Sequence, residues 1–340
     1  MAIRRRGFTL VELLISTAIV AVLFATLMPA MQVARESARR SHCSNNVKQL
    51  ALGIQQHVAT QGPFPTGGWG WGWVGDPDRG SNRRQPGGWV YNVLPYMEQL
   101  ATHDMAIGTT GAARSAAGAT MIATPLGVFN CPSRRPAKLY PHALSTNGYM
   151  VAGATPLVAK SDYAANGGHS SFDGTAVGLW SPFFTQNASS GPSSALSDAQ
   201  IDAAARTVAT DPTPPTGVIY ILSEVMPDAI RDGLSTTYLV GEKYLNADNY
   251  QDGVTDAGDN DTMYVGVNQD NVRQADLANL PTQDRRGVTN PNTFGSAHSI
   301  SMAMAMCDGS VRAIGYTITP SVHQNLAHRA DGNVVAVPRP

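Results

Sequence analysis

The chain has 340 residues, enough for one large domain or two ordinary ones. Its residues are 43% hydrophobic and only 14% charged, with 33 glycines and 22 prolines, which is typical of a loop-rich extracytoplasmic protein rather than a cytosolic helical enzyme. The formal net charge of −1 leaves no basic excess, so we expect no nucleic-acid partner.

An apolar segment near the N-terminus is long enough to cross a membrane. Of the 21 residues from Phe8 to Met28, 16 are apolar, and a helix of that length measures about 31 Å. A secretory signal would have a shorter apolar core followed by its cleavage site, whereas here Gly7 precedes the apolar run. The carboxylate of Glu12 lies inside the run, where a charge is costly without a partner. Glu12 is therefore a candidate functional residue.

The helix is expected to continue beyond the apolar run. Pro29 either bends the helix or ends it, because a proline removes one backbone hydrogen bond. The residues from Met31 to about Thr60 are rich in helix formers, and Glu36 and Arg40 are spaced to pair on one face. This favours one long helix, half in the membrane and half packed on a head through an apolar stripe of Val47, Leu50, Ala51, Ile54 and Val58.

Three tryptophans alternate with glycines between Gly67 and Gly75. In an extended strand, the rings of Trp69, Trp71 and Trp73 would share one face. An exposed row of rings could bind sugars or another surface by stacking. The alternative, which we favour, is a glycine-rich hairpin whose rings pack back on the head.

A loop from Tyr250 to Tyr264 is rich in acidic residues. Carboxylate oxygens in a glycine-containing loop suit calcium, although the spacing does not fit an EF-hand. The alternative is a solvated acidic loop. Calcium is thus a possible cofactor, and its candidate ligands are Asp252, Asp256, Asp259 and Asp261, with Asn260 between them.

Several strands are predicted in the C-terminal half. Gly217 to Val225 and Thr237 to Tyr244 are rich in β-branched and aromatic residues. Ser299 to Met306 alternates large and small residues, which indicates a strand covered on both faces. Asp308 and Gly309 follow, and we expect a two-residue hairpin turn in which both have positive φ. Such a turn is a sufficient structural explanation for the presence of Asp308 and Gly309.

No catalytic group is apparent. The sequence contains no phosphate-binding glycine loop, no nucleophile elbow and no histidine pair at metal-ligand spacing. His298 would lie about 30 Å from the Asp308 turn along a straight strand, so these residues are not expected to form one catalytic site. We expect His298 to form hydrogen bonds rather than bind a metal. We therefore predict that the protein is not an enzyme.

The residues from Gly7 to Leu13 read GFTLVEL, and this stretch resembles the N-terminus of type IV prepilins and type II secretion pseudopilins. The resemblance implies cleavage after Gly7 by a prepilin peptidase, N-methylation of Phe8, and a helix bend at Pro29. It also implies that Glu12 pairs with the new amine of a neighbouring subunit during assembly. The peptidase acts on the cytoplasmic side of the inner membrane, so residues after about 30 should face outward.

A second resemblance extends over most of the chain, to a planctomycete family of prepilin-like proteins with a C-terminal H-x9-DG motif. It rests on ordered motifs: Arg35–Arg40 with Cys43–Gln49, Trp89 with Leu94–Gln99, Cys131–Ser133, Ser161–Gly167, Asp232–Thr237 with Gly241 and Glu242, and His298 with Asp308–Val311. An odd number of cysteines in an oxidising compartment allows one pair and one leftover thiol. The resemblance implies that Cys43 pairs with Cys131, which leaves Cys307 unpaired. The alternative is that Cys43 and Cys131 are buried free thiols.

Together these observations predict an α+β fold, with a long N-terminal helix packed on an antiparallel sheet and loop-rich insertions. The expected parts are a leader (1–7), a transmembrane half-helix (8–30), an amphipathic half-helix (31–61) and an outward-facing β-rich head (62–340) with its hairpin near 298–318. The predicted function is a pilin-like or pseudopilin-like subunit of a type IV pilus or type II secretion-like filament. The alternative is a tethered or filament-displayed module that binds a glycan or cell-surface ligand.

Overall fold

The computed structural model describes residues 9–143, 146, 148–170, 196–333, 335 and 336. Gly7 and Phe8, the predicted processing site, lie outside the described residues. The described helices are α1 (Leu10–Gln61), α2 (Trp89–Val93), α3 (Leu100–His103), α4 (Gly111–Ile122), α5 (Asp198–Ala209) and α6 (Pro320–Ala327).

The described strands are short, and they form one main sheet of five strands and two sheets of two strands each. They are β1 (Leu139–Pro141), β2 (Leu157–Ala159), β3 (Tyr163–Asn166), β4 (Tyr238–Glu242), β5 (Val272–Arg273), β6 (Thr282–Gln283), β7 (Gly295–Ser296), β8 (Ser301–Met306) and β9 (Val311–Gly315). The main sheet has the order β5-β3-β4-β8-β9 and is antiparallel except for the β3–β5 pair. The α+β prediction is confirmed, with a mixed rather than a purely antiparallel sheet.

Helix α1 begins at a capping box. The Thr9 hydroxyl accepts a hydrogen bond from the Glu12 backbone N–H, and the Glu12 carboxylate accepts one from the Thr9 backbone N–H. The helix passes through Pro29 and ends at Gln61, and the capping residue Gly62 has a φ of 97°, which suits glycine. The alternative in which the membrane helix ends at Pro29 is therefore wrong, and a bend there stays a prediction.

The two halves of α1 have opposite surroundings. The most apolar 18-residue window has a mean hydropathy of 2.4, and none of it is buried against the protein. The C-terminal half instead buries one face, so the predicted apolar stripe is confirmed, with Val58 partly buried at its end. The buried residues of the helix are Cys43, Asn46, Val47, Leu50, Ala51, Gly53, Ile54 and His57.

The main sheet separates two hydrophobic cores. The larger one lies on the side of α1, and the smaller lies on the opposite side, with Leu326 of α6. Strand β8 serves both, because Met302, Met304 and Met306 point into the smaller core while Ala305 points into the larger. The predicted double coverage is confirmed. The strand starts later than predicted, however, and His298 lies in the bend before it.

The hairpin between β8 and β9 is docked on α1. Lys48 Nζ donates to the carbonyl of Gly309 at 2.7 Å, and Gln55 Nε2 donates to the carbonyl of Cys307 at 2.6 Å. Gly309 has a φ of 80°, whereas Asp308 is not among the residues with positive φ, so the predicted two-residue turn is wrong. The Met306–Ser310 backbone pairing leaves three loop residues, and in such loops only the glycine position needs positive φ.

The predicted strand from Gly217 to Val225 is not formed. Its backbone turns instead, and the N–H groups of Val218 and Ile219 both donate to the carbonyl of Asn166. The β-branched side chains that suggested a strand are buried in the core all the same. Burial, rather than strand pairing, accounts for their composition.

The disulfide joining α1 to the head, Cys43–Cys131, is present, with a Cα–Cα distance of 5.2 Å and a sequence separation of 88 residues. A crosslink closing a loop of this size restricts the unfolded chain strongly. We expect the Cys43→Ser/Cys131→Ser double variant to lose about 2–5 kcal/mol of unfolding free energy, measured by urea unfolding of the full chain in detergent.

Cys307→Ala is the matched control, because Cys307 is buried but unpaired. It should lose less than about 1.5 kcal/mol, since only a small apolar group is removed. Equal losses in the double variant and the control, or peptide mapping that finds Cys43 and Cys131 as free thiols, would contradict the account.

Candidate functional site

Glu12, the predicted assembly residue, lies in the uncovered half of α1. Its Oε2 accepts hydrogen bonds from the backbone N–H and the hydroxyl of Thr9, at 2.9 and 2.8 Å. The carboxylate therefore caps its own helix in the single chain. The sequence pattern Thr-x-x-Glu before an apolar run is a capping-box signal that the sequence analysis missed.

The tryptophan segment is not an extended strand. A turn closes between Gly70 and Trp73, whose N–H donates to the Gly70 carbonyl. The rings of Trp69 and Trp73 are buried and meet edge to face at 4.9 Å. The prediction of a ligand-binding row of three exposed rings is therefore wrong for Trp69 and Trp73. These two rings pack on the head, as the alternative predicted. Of the three, only Trp71 is partly exposed, and it also packs against the larger core.

Trp71 lines a cavity of about 380 Å³ together with residues of the acidic loop and the segment after it. The polar residues of this lining are Asn260, Asp261, Asn268 and Gln269. The tryptophan segment, through Trp71, and the acidic loop, through Ala257, Asn260 and Asp261, thus meet at this cavity. An aromatic ring beside a few convergent polar groups is typical of small-molecule sites.

The four predicted calcium ligands face different partners. Asp252 and Asp256 each accept a backbone N–H within their own turns. Asp259 is held by Arg135 and Lys243, and Asp261 accepts from the Tyr149 hydroxyl at 2.9 Å. Within the described ranges, none of the four belongs to a group of three or more His, Cys, Asp or Glu side chains close enough to share an ion. The structure therefore offers no support for calcium in this loop.

Asp259 is instead the centre of a buried ion network. Its carboxylate pairs with Arg135 at 2.5 Å and Lys243 at 3.1 Å, and Arg135 also pairs with Asp162 at 2.8 Å. Burial alone would raise the pKa of Asp259, but the charges of Arg135 and Lys243 hold it well below its ordinary value. Loss of one partner would leave an uncompensated buried charge. Sequence analysis missed the network because its members are far apart in the chain.

Next to this network, two buried carboxylates share one donor. Asn268 Nδ2 donates to Asp261 Oδ2 at 3.1 Å and to Asp270 Oδ2 at 2.8 Å. Burial raises the pKa of Asp270 to about 6, and burial together with the Asp270 charge raises the pKa of Asp261 well above its ordinary value. The pair is therefore best accommodated with at least one proton bound.

Four motif residues meet where α1 joins the head. Cys43 comes from α1, Cys131 follows a short 3-10 turn, Glu242 ends β4, and His298 lies in the bend before β8. We call these residues the Cys–Glu–His cluster. All four are buried, and their ligand-type atoms lie within 4.8 Å of one another. The predicted Cys43–Cys131 pairing is confirmed, and Cys307 is the buried free thiol.

His298 is oriented by α1. Its Nδ1 lies 2.7 Å from Glu36 Oε1, while its Nε2 faces the cluster, 3.8 Å from Glu242 Oε1 and 3.9 Å from Cys131 Sγ. Glu36 also pairs with Arg39 at 2.7 Å rather than with Arg40 as predicted. The Arg40 side chain instead donates to Ser301 at 2.6 Å. Helix α1 and the head are thus joined by polar contacts as well as by the disulfide.

Glu242 is fully buried. Its Oε2 accepts from the Ala303 backbone N–H at 2.7 Å, and a hydrogen bond from the Ser296 side chain also lowers its pKa. Burial raises the pKa of Glu242, and the charges of Arg134 and His298 only partly oppose the effect. One sequence signal pointed to this site, the Gly241-Glu242 motif of the second resemblance.

Residues His298 and Gly309, the two ends of the H-x9-DG motif, contact α1 at Glu36 and Lys48. These positions are 12 residues apart on one helix, or about 18 Å along its axis. The two ends therefore dock the head on α1 at separate points. They do not meet in a shared active site.

A pH prediction follows from the buried acid pair. Because the pKa of Asp270 is about 6 in the folded protein and near 4 when unfolded, its protonated form stabilises the fold. This contribution is complete below about pH 4 and is lost as the pH rises through about 6. Asp270→Asn should therefore be more stable than wild type at pH 8, relative to pH 5, by about 1.4 kcal/mol.

Urea unfolding of both proteins at the two pH values measures this difference. Asp252→Asn is the matched control, since Asp252 is exposed in the same region. The Asp252→Asn substitution should change the free energy of unfolding by the same amount at both pH values. An Asp270→Asn protein with the pH dependence of wild type would show that the pair does not hold an extra proton.

Comparison with known proteins identifies the family. The family described as Protein of unknown function (DUF1559) matches residues 32–321, and the Prokaryotic N-terminal methylation motif matches residues 3–28. No curated protein and no solved structure gives a significant match. The methylation motif implies processing by a prepilin peptidase and association with a membrane. The chain therefore belongs to this DUF1559 family of prepilin-like proteins and carries its type IV pilin-like N-terminal motif.

Proposed function

We propose that this protein is a structural subunit, cleaved after Gly7, methylated at Phe8 and assembled with other pilin-like or pseudopilin-like subunits into a type IV pilus or type II secretion-like filament. Residues 8–30 would lie in the inner membrane, with the N-terminus on the cytoplasmic side and the head outside. The supporting observation is the division of α1 into an uncovered apolar half and a half that packs on the head.

Glu12 has a specific role in this proposal. A carboxylate surrounded by apolar side chains is costly unless it meets an opposite charge. Among the described residues, its carboxylate accepts hydrogen bonds only from the neutral donors of Thr9. Cleavage before Phe8 creates a positive amine in a neighbouring subunit, and pairing with that amine would set the register of the helices. The apolar half of each α1 would be covered by membrane before assembly and by other helices after it.

Glu12→Ala should abolish incorporation into filaments and leave membrane insertion intact, because it removes the charge but no apolar surface. Incorporation is measured by immunoblotting sheared filament fractions, and insertion by carbonate extraction of membranes. Thr9→Ala is the matched control, because it removes the cap at a cost of about 1 kcal/mol and retains the carboxylate. It should assemble like wild type. Normal incorporation of Glu12→Ala would exclude the pairing role.

We propose glycan binding by the head as a second candidate function, which a filament subunit could also have. The observation that favours it is the cavity in which the partly exposed ring of Trp71 lies beside amide and carboxylate groups. Sugars combine apolar faces, which pack on aromatic rings, with hydroxyl groups, which bond to amides and carboxylates.

A glycan array probed with the full chain in detergent tests this candidate. Trp71→Ala should weaken binding to the glycans recognised by wild type by about tenfold or more, because the stacking surface is lost. Leu277→Ala, which truncates an exposed apolar residue, is the control and should bind like wild type. Absence of binding by wild type, or full binding by Trp71→Ala, would return Trp71 to a packing role.

A further inference from the structure

A polar cavity lies at the end of the head from which the uncovered half of α1 emerges. Its volume is about 470 Å³, and its lining includes Glu36 and Arg39 of α1 together with Gln283 and Ser299 of the head. Every described residue of the chain before Glu36 is exposed, so this is the level at which the head first covers the helix. The cavity therefore lies at the boundary between the head and the surroundings of the apolar half.

The cavity lies at the depth of lipid headgroups when the apolar half is in a membrane. Met31 and Val33 continue the exposed apolar surface beyond Met28. Glu36 follows Val33 by three positions, or about 4.5 Å along the helix axis. The interfacial layer on each side of a bilayer core is about 5–8 Å thick. This step rests on the membrane placement in the proposed function.

The polar cavity has exposed apolar side chains beside it. Ile300 directly follows Ser299 of the lining and is 63% exposed. Its other neighbour, Ser301, accepts a hydrogen bond from Arg40, so this segment lies against α1. Val33 lies one helical turn before Glu36 on the same face of α1. A polar cavity flanked by exposed apolar residues suits an amphiphile, whereas a free phosphate ion would use only the polar part.

The lining carries one positive and one negative charge. Arg39 donates from Nε and Nη2 to Glu36 Oε2, at 3.0 and 2.7 Å, while its Nη1 makes no hydrogen bond to any described residue. The hydroxyl of Ser133, which also belongs to the lining, has no hydrogen-bond partner among the described residues. Unused guanidinium and hydroxyl donors of this kind suit a phosphate group.

Glu36 selects against a ligand that carries only negative charge. Partial burial opposes ionisation of Glu36, but hydrogen bonds with His298 and Arg39 outweigh it and lower its pKa. The carboxylate is therefore ionised at neutral pH. A headgroup that combines a phosphate with a positive ammonium group complements both Arg39 and Glu36.

We propose that this cavity binds the headgroup of a membrane phospholipid of the phosphatidylethanolamine type, with the phosphate at Arg39 and the ammonium group at Glu36. The acyl chains would lie along Val33 and Ile300. One headgroup held at this point would contact α1 and the head together, exactly where the helix enters the membrane. It would set the height of the head above the membrane surface.

Headgroup binding is tested on the delipidated full chain in detergent by native mass spectrometry, with one probe added at a time. Dioleoyl phosphatidylethanolamine should be retained at one molecule per chain. Dioleoyl phosphatidylcholine, whose ammonium cannot donate a hydrogen bond, and dioleoyl phosphatidylglycerol, which has no ammonium, should bind at least fivefold more weakly. Dioleoylglycerol and inorganic phosphate each lack one part of the ligand and should not be retained.

Variants assign the site. Arg39→Gln should weaken retention of phosphatidylethanolamine about tenfold or more, because a charged contact to the phosphate is lost. Glu36→Gln should remove the preference for phosphatidylethanolamine over phosphatidylglycerol, a change that a loss of packing would not produce. Arg206→Gln, which removes an exposed arginine of α5 outside the lining, is the matched control and should bind like wild type. Circular dichroism checks that each variant is folded.

Three results would overturn the proposal: a folded chain that retains no phosphatidylethanolamine, equal or stronger retention of phosphatidylglycerol, or equal effects of Arg39→Gln and Arg206→Gln. Carbonate extraction of membranes separates these results from a failure of the proposed membrane placement. If the chain stays in the membrane fraction, any of the three refutes the headgroup site alone. A chain that carbonate releases refutes the placement and the site together.

Discussion

One helix has to satisfy two different surroundings, and the rest of the structure depends on this constraint. The first half of α1 exposes an apolar surface that water cannot solvate favourably, so it requires lipid or other helices. The second half buries its apolar face in the head. Because the helix is continuous through Pro29, the point where it leaves the head determines how the membrane half is presented. The head therefore has to hold α1 firmly at that point.

The contacts at the junction meet this requirement in several ways. The Cys43–Cys131 disulfide, the Glu36–His298 contact and the Lys48–Gly309 hydrogen bond all join α1 to segments that are distant in sequence. Polar contacts of this kind need specific partners, so they favour one register of the helix on the sheet. The apolar stripe provides the larger burial but tolerates sliding better, because hydrophobic contacts are not directional. The two kinds of contact together specify one arrangement.

The parts that sequence predicted well are those governed by local patterns. The apolar run, the helical stripe and the alternation of Met302 and Ala305 each follow from a periodicity, and the structure has all three. The errors arise where long-range packing decides. Residues 217–225 are buried without strand pairing, Trp69 and Trp73 turn inward, and Asp259 pairs with Arg135 and Lys243 in a network that the sequence did not reveal. The partners Glu36 and Glu242 of His298 were missed because 262 and 56 positions separate them from it in the sequence.

The central claim is that the first residues are a leader whose removal creates the charged end that Glu12 needs. Mass spectrometry of the N-terminal peptide from the native protein tests this most directly. The account predicts a peptide that begins at Phe8 and carries one methyl group on its amine. A native N-terminus that still begins at Met1 would contradict it, and would reduce the protein to a surface domain held by an uncleaved anchor.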